Sequence, residues 1–332
     1  MKIDLLIQHG DTLQYPAVSE GIEWQLERQG SPGKLTFTVV KDETLNFAEG
    51  DPVKLTVDGT DVFYGFVFTK KRTKEQTIDV TAYDQLRYLK NKDTYVYENK
   101  TATEVIQMIA ADFKLNTGTL EDTGYKIGSR TEDDTTLFDI IQNALDETLT
   151  AKKQLYVLYD DVGKLTLRNI ESMKLDFLLD SEVLENYDYK STIDDSTYNQ
   201  IKVVHEDSDA GKRSIYIAKD SSHINEWGVL QLTESVEEKT NAQAKADGLL
   251  ALYNTKTRTL TASNVLGDVR VRAGSSIVVM LNLGDIVVQN YMVVESVRHT
   301  FNEQQHLMEL KLRGGTSVSY THLRAHETCA DL

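Results

Sequence analysis

The chain has 332 residues, 40% hydrophobic and 27% charged. That is enough apolar content for the cores of about two domains, and it excludes general disorder. Lys and Arg number 36 against 52 Asp and Glu, a formal net charge of −16. Such a chain repels nucleic acid and anionic membrane unless basic residues concentrate locally.

The densest basic run, Lys70-Lys71-Arg72 with Lys74, reads as a solvated strand end, so sequence-specific nucleic-acid binding is not expected. The longest apolar stretch, near Ser276–Leu281, is far short of the roughly 18 residues that span a bilayer. No membrane insertion is expected. Met1 to His9 alternates rather than running apolar, which is unlike a secretory signal and fits a chain made in the cytoplasm. The only cysteine, Cys329, leaves no partner for an intrachain disulfide and no cysteine metal cage.

The first ninety-odd residues read as strands. Gly33–Val40 places Leu35, Phe37 and Val39 on one face and Lys34, Thr36 and Thr38 on the other, the period-2 pattern of a half-buried strand. Pro52–Val57, Val62–Thr69 and Gln76–Ala82 follow. Asp58-Gly59 predicts a tight hairpin, because primed turns need positive φ at both central positions. Gly65 predicts a bend or a close backbone approach.

Helix chemistry follows. Thr101-Ala102-Thr103-Glu104 is a capping box, and Val105, Ile106, Ile109, Ala110 and Phe113 recur at helical spacing. A second helix spans about Thr136 to Leu149, with Leu137, Phe138, Ile141, Ala144 and Leu145 on one side. Strands are expected at Gln154–Tyr159 and Lys164–Asn169. From Asn199 the pattern is β again: Gln200–His205, Ser214–Ala218 and Val229–Thr233. A helix from the N-cap Asn241 to about Tyr253 follows, burying Ala246, Leu249, Leu250 and Tyr253. Arg258–Ala262, Ser275–Met280, Met292–His299 and His306–Leu312 complete the strands. No repeat is visible at the residue level.

Chemistry is sparse. Of seven histidines, His9, His205, His223, His299, His306, His322 and His326, none forms a helical His-x-x-x-His. His299 and His306 flank a hairpin and can approach, but a metal would need further ligands. Asp133-Asp134, Asp160-Asp161, Asp194-Asp195 and Glu237-Glu238 are the pairings expected of an acidic chain, mostly at turns or helix starts. A glycosidase would need one pair buried with its pKa values pushed apart. Asp207-Ser208-Asp209-Ala210-Gly211 lacks the third acid and terminal Glu of a calcium loop. There is no Gly-x-x-x-x-Gly-Lys, Gly-x-Gly-x-x-Gly or Gly-x-Ser-x-Gly. The 16 tyrosines concentrate at 83–97 and 153–198, where they can serve as interface anchors or as strand filler. No catalytic residue, cofactor site or metal site is assigned.

Several stretches carry a resemblance. They are Ala82-Tyr83-Asp84-Gln85-Leu86-Arg87-Tyr88-Leu89, Thr136-Leu137-Phe138-Asp139-Ile140-Ile141, Leu155–Asp160 with Gly163-Lys164-Leu165, Tyr198-Asn199-Gln200-Ile201, Asn241-Ala242-Gln243-Ala244, and Val271-Arg272-Ala273-Gly274-Ser275. Collinear over residues 1 to about 314, they resemble the XkdQ/YqbQ family of PBSX-type prophages. That family is similar to the phage late control protein D group. The resemblance implies a mainly β fold of two tail-tube-like β-barrels with a small α+β insertion. The expected division is 1–95, first barrel; 96–190, insertion; and 191–314, second barrel. The tail 315–332 resembles translated sequencing adapter and is read as non-native or disordered.

The implied role is a non-enzymatic baseplate hub of a contractile phage tail or phage-tail-like particle. Located in the virion and assembled in the host cytoplasm, it would join tail tube to central spike. Its implied partners are itself as a homotrimer, the tail tube protein, the spike protein, a LysM-type tail protein and baseplate wedge proteins. Rival readings are a tail-associated cell-wall hydrolase and a receptor- or carbohydrate-binding module.

Overall fold

The computed structural model describes residues 1–314 except 20, 73, 75, 181–183, 185, 208–211, 237–241, 283–286 and 303–304. The N-cap Asn241, the pair Glu237-Glu238, most of the Asp207–Gly211 segment and the 315–332 tail lie outside the described residues. Alternation produces strands β1 (Ile3–His9), β2 (Thr12–Gln14), β3 (Ile22–Glu27), β4 (Lys34–Val40), β5 (Pro52–Val57), β6 (Thr60–Arg72) and β7 (Thr77–Tyr83). Asp58 and Gly59, at φ 47° and 81°, form the two-residue turn between β5 and β6 that their chemistry demands. Gly65 is obligatory through close approach, since a Cβ there would lie 2.3 Å from the Tyr83 carbonyl oxygen.

The insertion holds β8 (Lys92–Tyr97), α1 (Ala102–Asp112), β9 (Thr117–Leu120), β10 (Arg130–Thr136), α2 (Leu137–Lys152), β11 (Tyr156–Asp160) and β12 (Leu165–Asn169). The capping box forms as expected: Glu104 N donates to Thr101 Oγ1 at 3.2 Å and Thr101 N donates to Glu104 Oε2 at 2.7 Å. Val105, Ile106 and Ile109 from α1 meet Leu137, Ile140 and Ile141 from α2 in a core separate from the main one.

The chain continues through β13 (Lys174–Asp180), β14 (Asn186–Thr192), β15 (Gln200–Asp207), β16 (Lys212–Lys219), α3 (Ser221–Trp227), β17 (Gln231–Val236) and α4 (Ala242–Tyr253). Last come β18 (Thr257–Leu266), β19 (Ser276–Asn282), β20 (Val287–Phe301) and β21 (His306–Gly314). Ala246, Leu249 and Tyr253 face inward on α4 as expected; Leu252 is fully buried and Leu250 only partly so.

The fold is mainly β with an α+β insertion. Thirteen strands form one sheet in the order β14-β18-β21-β20-β3-β4-β7-β6-β5-β1-β2, with β19 branching from β20 and β13 pairing with β19. Among the described residues no sheet closes on itself, so each half is open. They meet where β3 pairs antiparallel with the last six residues of β20, Ser296↔Glu27 to Phe301↔Ile22. One hydrophobic core draws on both halves.

The two halves repeat each other. The order β3-β4-β7-β6-β5-β1 is matched by β14-β18-β21-β20-β19-β13, and the match is collinear in sequence. The long strands share one irregularity, a bulge between Val67 and Thr69 in β6 and between Val294 and Ser296 in β20. Gly50 and Gly274 both have φ 92° and donate to Val67 and Val294 carbonyls at 2.7 and 2.8 Å. The repeats differ at one edge: β1 runs antiparallel to β5, β13 parallel to β19.

Candidate functional site

The buried polar chemistry gathers where three stretches of chain meet. Asp84 ends β7 and caps the 3-10 turn Gln85–Lys90, accepting from Leu86 N at 3.0 Å and from Gly33 N at 2.9 Å. A Cβ at Gly33 would lie 2.4 Å from Asp84 Oδ2, so glycine permits this contact. Gln85 Nε2 donates to Asp160 Oδ2 at 2.9 Å and to the Asn116 carbonyl at 3.1 Å. The other Asp160 oxygen accepts from Gly163 N at 2.7 Å. Arg272, on the loop before β19, donates from Nη2 to the Asp160 carbonyl at 2.7 Å and stacks over Tyr159 with 3.8 Å to the ring centroid.

Asp84 and Asp160 are 3% and 7% exposed. Burial, then the Asp160 charge, pushes the Asp84 carboxyl well above the usual range; burial also raises Asp160 and lowers Arg272. A buried acid pair with raised pKa values is what a glycosidase requires. Here all four carboxylate oxygens already accept from main-chain N–H groups or from Gln85. The cluster therefore works as a joint between the first half, the insertion and the second half. Sequence reasoning treated Asp160 as a turn acid and gave Asp84 and Arg272 no role. The signal available was a strand-ending Asp before the helical Gln85-Leu86-Arg87.

A second cluster sits on the seam between halves. His299 Nδ1 lies 2.9 Å from His306 Nε2, the approach expected across the hairpin, and His299 Nε2 lies 2.9 Å from the Val271 carbonyl. A carbonyl only accepts, so His299 Nε2 carries the proton, and Nδ1 accepts from His306. His299 stacks between Trp24 and Phe301, and Phe301 stacks on His306. Both nitrogens of the fully buried His299 are thus engaged within the protein. Burial, with the His306 charge, lowers His299 to about 3, and burial lowers His306 to about 4.

The other histidines are not brought together. His9 pairs with Asp51 at 2.8 Å, His205 contacts the Val236 carbonyl at 3.1 Å, and His223 stacks on Trp227. His322 and His326, with Cys329, lie outside the described residues. Asp133 bonds Thr94, Asp134 has φ 47° at the register shift within β10, and Asp194 and Asp195 are exposed. Among the described residues no three His, Cys, Asp or Glu side chains converge as a metal site.

A family model described as YQBQ-like matches residues 22–313. The Phage-like element PBSX protein XkdQ of Bacillus subtilis (strain 168) is 33% identical over 310 residues, covering 90% of this chain and 94% of that protein. The uncharacterized protein YqbQ of the same organism is 30% identical over 311 residues, 91% and 94% of the two chains. The 43 kDa tail protein of prophage MuSo2 from Shewanella oneidensis shares the fold at TM-score 0.65 and 13% identity, over 93% of this chain and 98% of that one. The tail protein from Neisseria meningitidis MC58 does so at TM-score 0.69 and 13% identity, over 96% and 98%.

Proposed function

Because the chain belongs to the YQBQ-like family, we propose that it is a structural baseplate hub of a contractile phage tail or phage-tail-like particle. The observation that carries this is 33% identity to a protein of the phage-like element PBSX along 90% of the chain. The fold it shares with two tail proteins supports the same reading. Chemically, the deepest polar groups are spent on holding parts of the chain together, which suits a connector.

In this reading the first half (β1–β7) and the second half (β13, β14 and β18–β21) act as tube-like units with the segment β8–β12 inserted between them. The insertion thus stops short of the expected 190, because β13 and β14 join the second half. The chain assembles as a homotrimer in the virion between tail tube and spike, with LysM-type and wedge proteins as neighbours. Deletion of the gene from an inducible prophage should give particles without a joined baseplate. Mass spectrometry of wild-type particles should find the protein in stoichiometric amount with tube and spike. Intact tails from the deletion strain would refute the role. Peptidoglycan release by the purified protein, lost on a single Asp or Glu substitution, would replace it with the hydrolase reading.

A further inference from the structure

The sheet of β15, β16 and β17 has two unlike faces. Side chains alternate between the faces of a strand, and Ile201, Val203, Ala218 and Tyr216 share a core with α4 on one of them. On the opposite face stand Lys202 and Val204 of β15 with Ile215, Ile217 and Lys219 of β16, while β17 presents only polar residues there. Over the registers from Gln200 to Val204 this face carries two lysines and no acid, in a chain of net charge −16. The next register, Glu206↔Arg213, adds one charge of each sign. Ile215 and Ile217 are about half exposed and lie on β16, an edge strand of the sheet. Among the described residues β16 pairs only with β15, in eight successive pairs without a register shift. Natural proteins blunt such edges with bulges, prolines or charges. β16 has no bulge and no proline, and its charges, Lys212, Arg213 and Lys219, stand at its ends around an uncharged Ser-Ile-Tyr-Ile-Ala.

We propose that this edge takes up one extended segment of a different, acidic protein, which adds a fourth strand beside β16 with apolar side chains over Ile215 and Ile217 and a carboxylate at Lys219. In strand addition the main-chain hydrogen bonds give affinity and the alternate side chains give specificity. A second copy of the chain fits badly. Antiparallel pairing of β16 with itself about Tyr216 sets Ile215 opposite Ile217, but it also sets Arg213 opposite Lys219 at both ends. Like charges directly opposite one another destabilise a pair. An acid in the partner turns the same position into an attraction, and Lys202, in register with Ile217, adds to it. β17, the other edge, has no apolar side chain on this face and gives a partner nothing to bury. The surface is set by the chain itself and stands independently of the hub reading.

The test measures the fluorescence anisotropy of a labelled peptide, Glu-Thr-Val-Thr-Val-Thr-Glu, titrated with the full chain. Its pattern is the same in both directions, so it suits either strand polarity. The peptide Lys-Thr-Val-Thr-Val-Thr-Lys should bind about tenfold more weakly. Lys219→Glu should reverse that order. Ile215→Thr with Ile217→Thr should weaken the acidic peptide about tenfold while far-UV circular dichroism stays native. Replacing the middle Thr of the peptide by Pro, which lacks the N–H a ladder needs, should abolish binding. No binding of the acidic peptide at millimolar concentration would overturn the proposal. Equal binding of the two peptides, or an order that Lys219→Glu leaves unchanged, would do the same. Self-association of the wild-type chain that the double Thr variant abolishes would overturn it in favour of a second copy on β16.

Discussion

His299 and His306 show how a residue's surroundings set a pH limit. The fold holds both below the ordinary imidazole pKa of 6.5, at about 3 and about 4. As pH falls below about 6.5 the unfolded chain takes up protons that the folded chain refuses. Their contribution is therefore complete above 6.5 and lost as pH falls toward 4 for His306 and toward 3 for His299. Between pH 6.5 and 4 the loss is about 3 kcal/mol for His299 alone. His299→Phe keeps a ring in the stack but orphans the Val271 carbonyl. It should cost about 1–3 kcal/mol at pH 7 and flatten the acid limb; parallel urea-stability curves from pH 7 to 4 would disprove this. The joint around Arg272 responds in the opposite direction. Arg272→Met leaves two buried acids uncompensated and should cost about 3–5 kcal/mol at pH 7. The loss should shrink as pH falls, because burial raises both carboxyls and each gains a proton sooner than an exposed Asp would. A loss independent of pH would mean that packing, not charge, is what Arg272 supplies.

Elements differ in how much of their structure local chemistry determines. The Asp58-Gly59 hairpin and the Thr101–Glu104 box were legible because a turn or cap needs only its own few residues. Thr101→Ala should accordingly cost about 1 kcal/mol. Gly65→Ala, though also one methyl, drives a Cβ into the Tyr83 carbonyl at 2.3 Å and into the Phe63 ring at 2.6 Å. It should cost more than Thr101→Ala in chemical denaturation, and equal midpoints would show that β6 yields freely. Other elements were illegible for a reason of distance. β13 and β14 take their partners about 70–100 residues away, in β18 and β19. β14 has no buried residue, so no apolar alternation marks it in the sequence. The Asp84–Asp160–Arg272 joint was hidden likewise: its members lie far apart in sequence, and each looks like an ordinary turn or cap residue alone.

At the scale of the whole molecule, the repeat was invisible in sequence because what it conserves is backbone. Gly50 and Gly274 share a left-handed conformation and a bond, while the residues around them, Ala48-Glu49 and Arg272-Ala273, share nothing. Two halves with one core and a strand junction between them should unfold together. The sheet of β15, β16 and β17 is a different case. It stands off the main sheet, with α4 against it, and leaves Ile215 and Ile217 about half exposed. The chain's two tryptophans report on these regions separately: Trp24 lies on the seam beside His299, and Trp227 ends α3, which buries no residue. Regions with fewer buried contacts open at lower free energy. In urea, the Trp227→Phe variant, reporting Trp24, should show a fluorescence transition that coincides with loss of far-UV circular dichroism. The Trp24→Phe variant, reporting Trp227, should show its transition at lower urea. Coincident transitions in both would mean that the β15–β17 sheet is fused to the main core despite its open face, and a Trp24 transition preceding the loss of secondary structure would break the unity of the two halves.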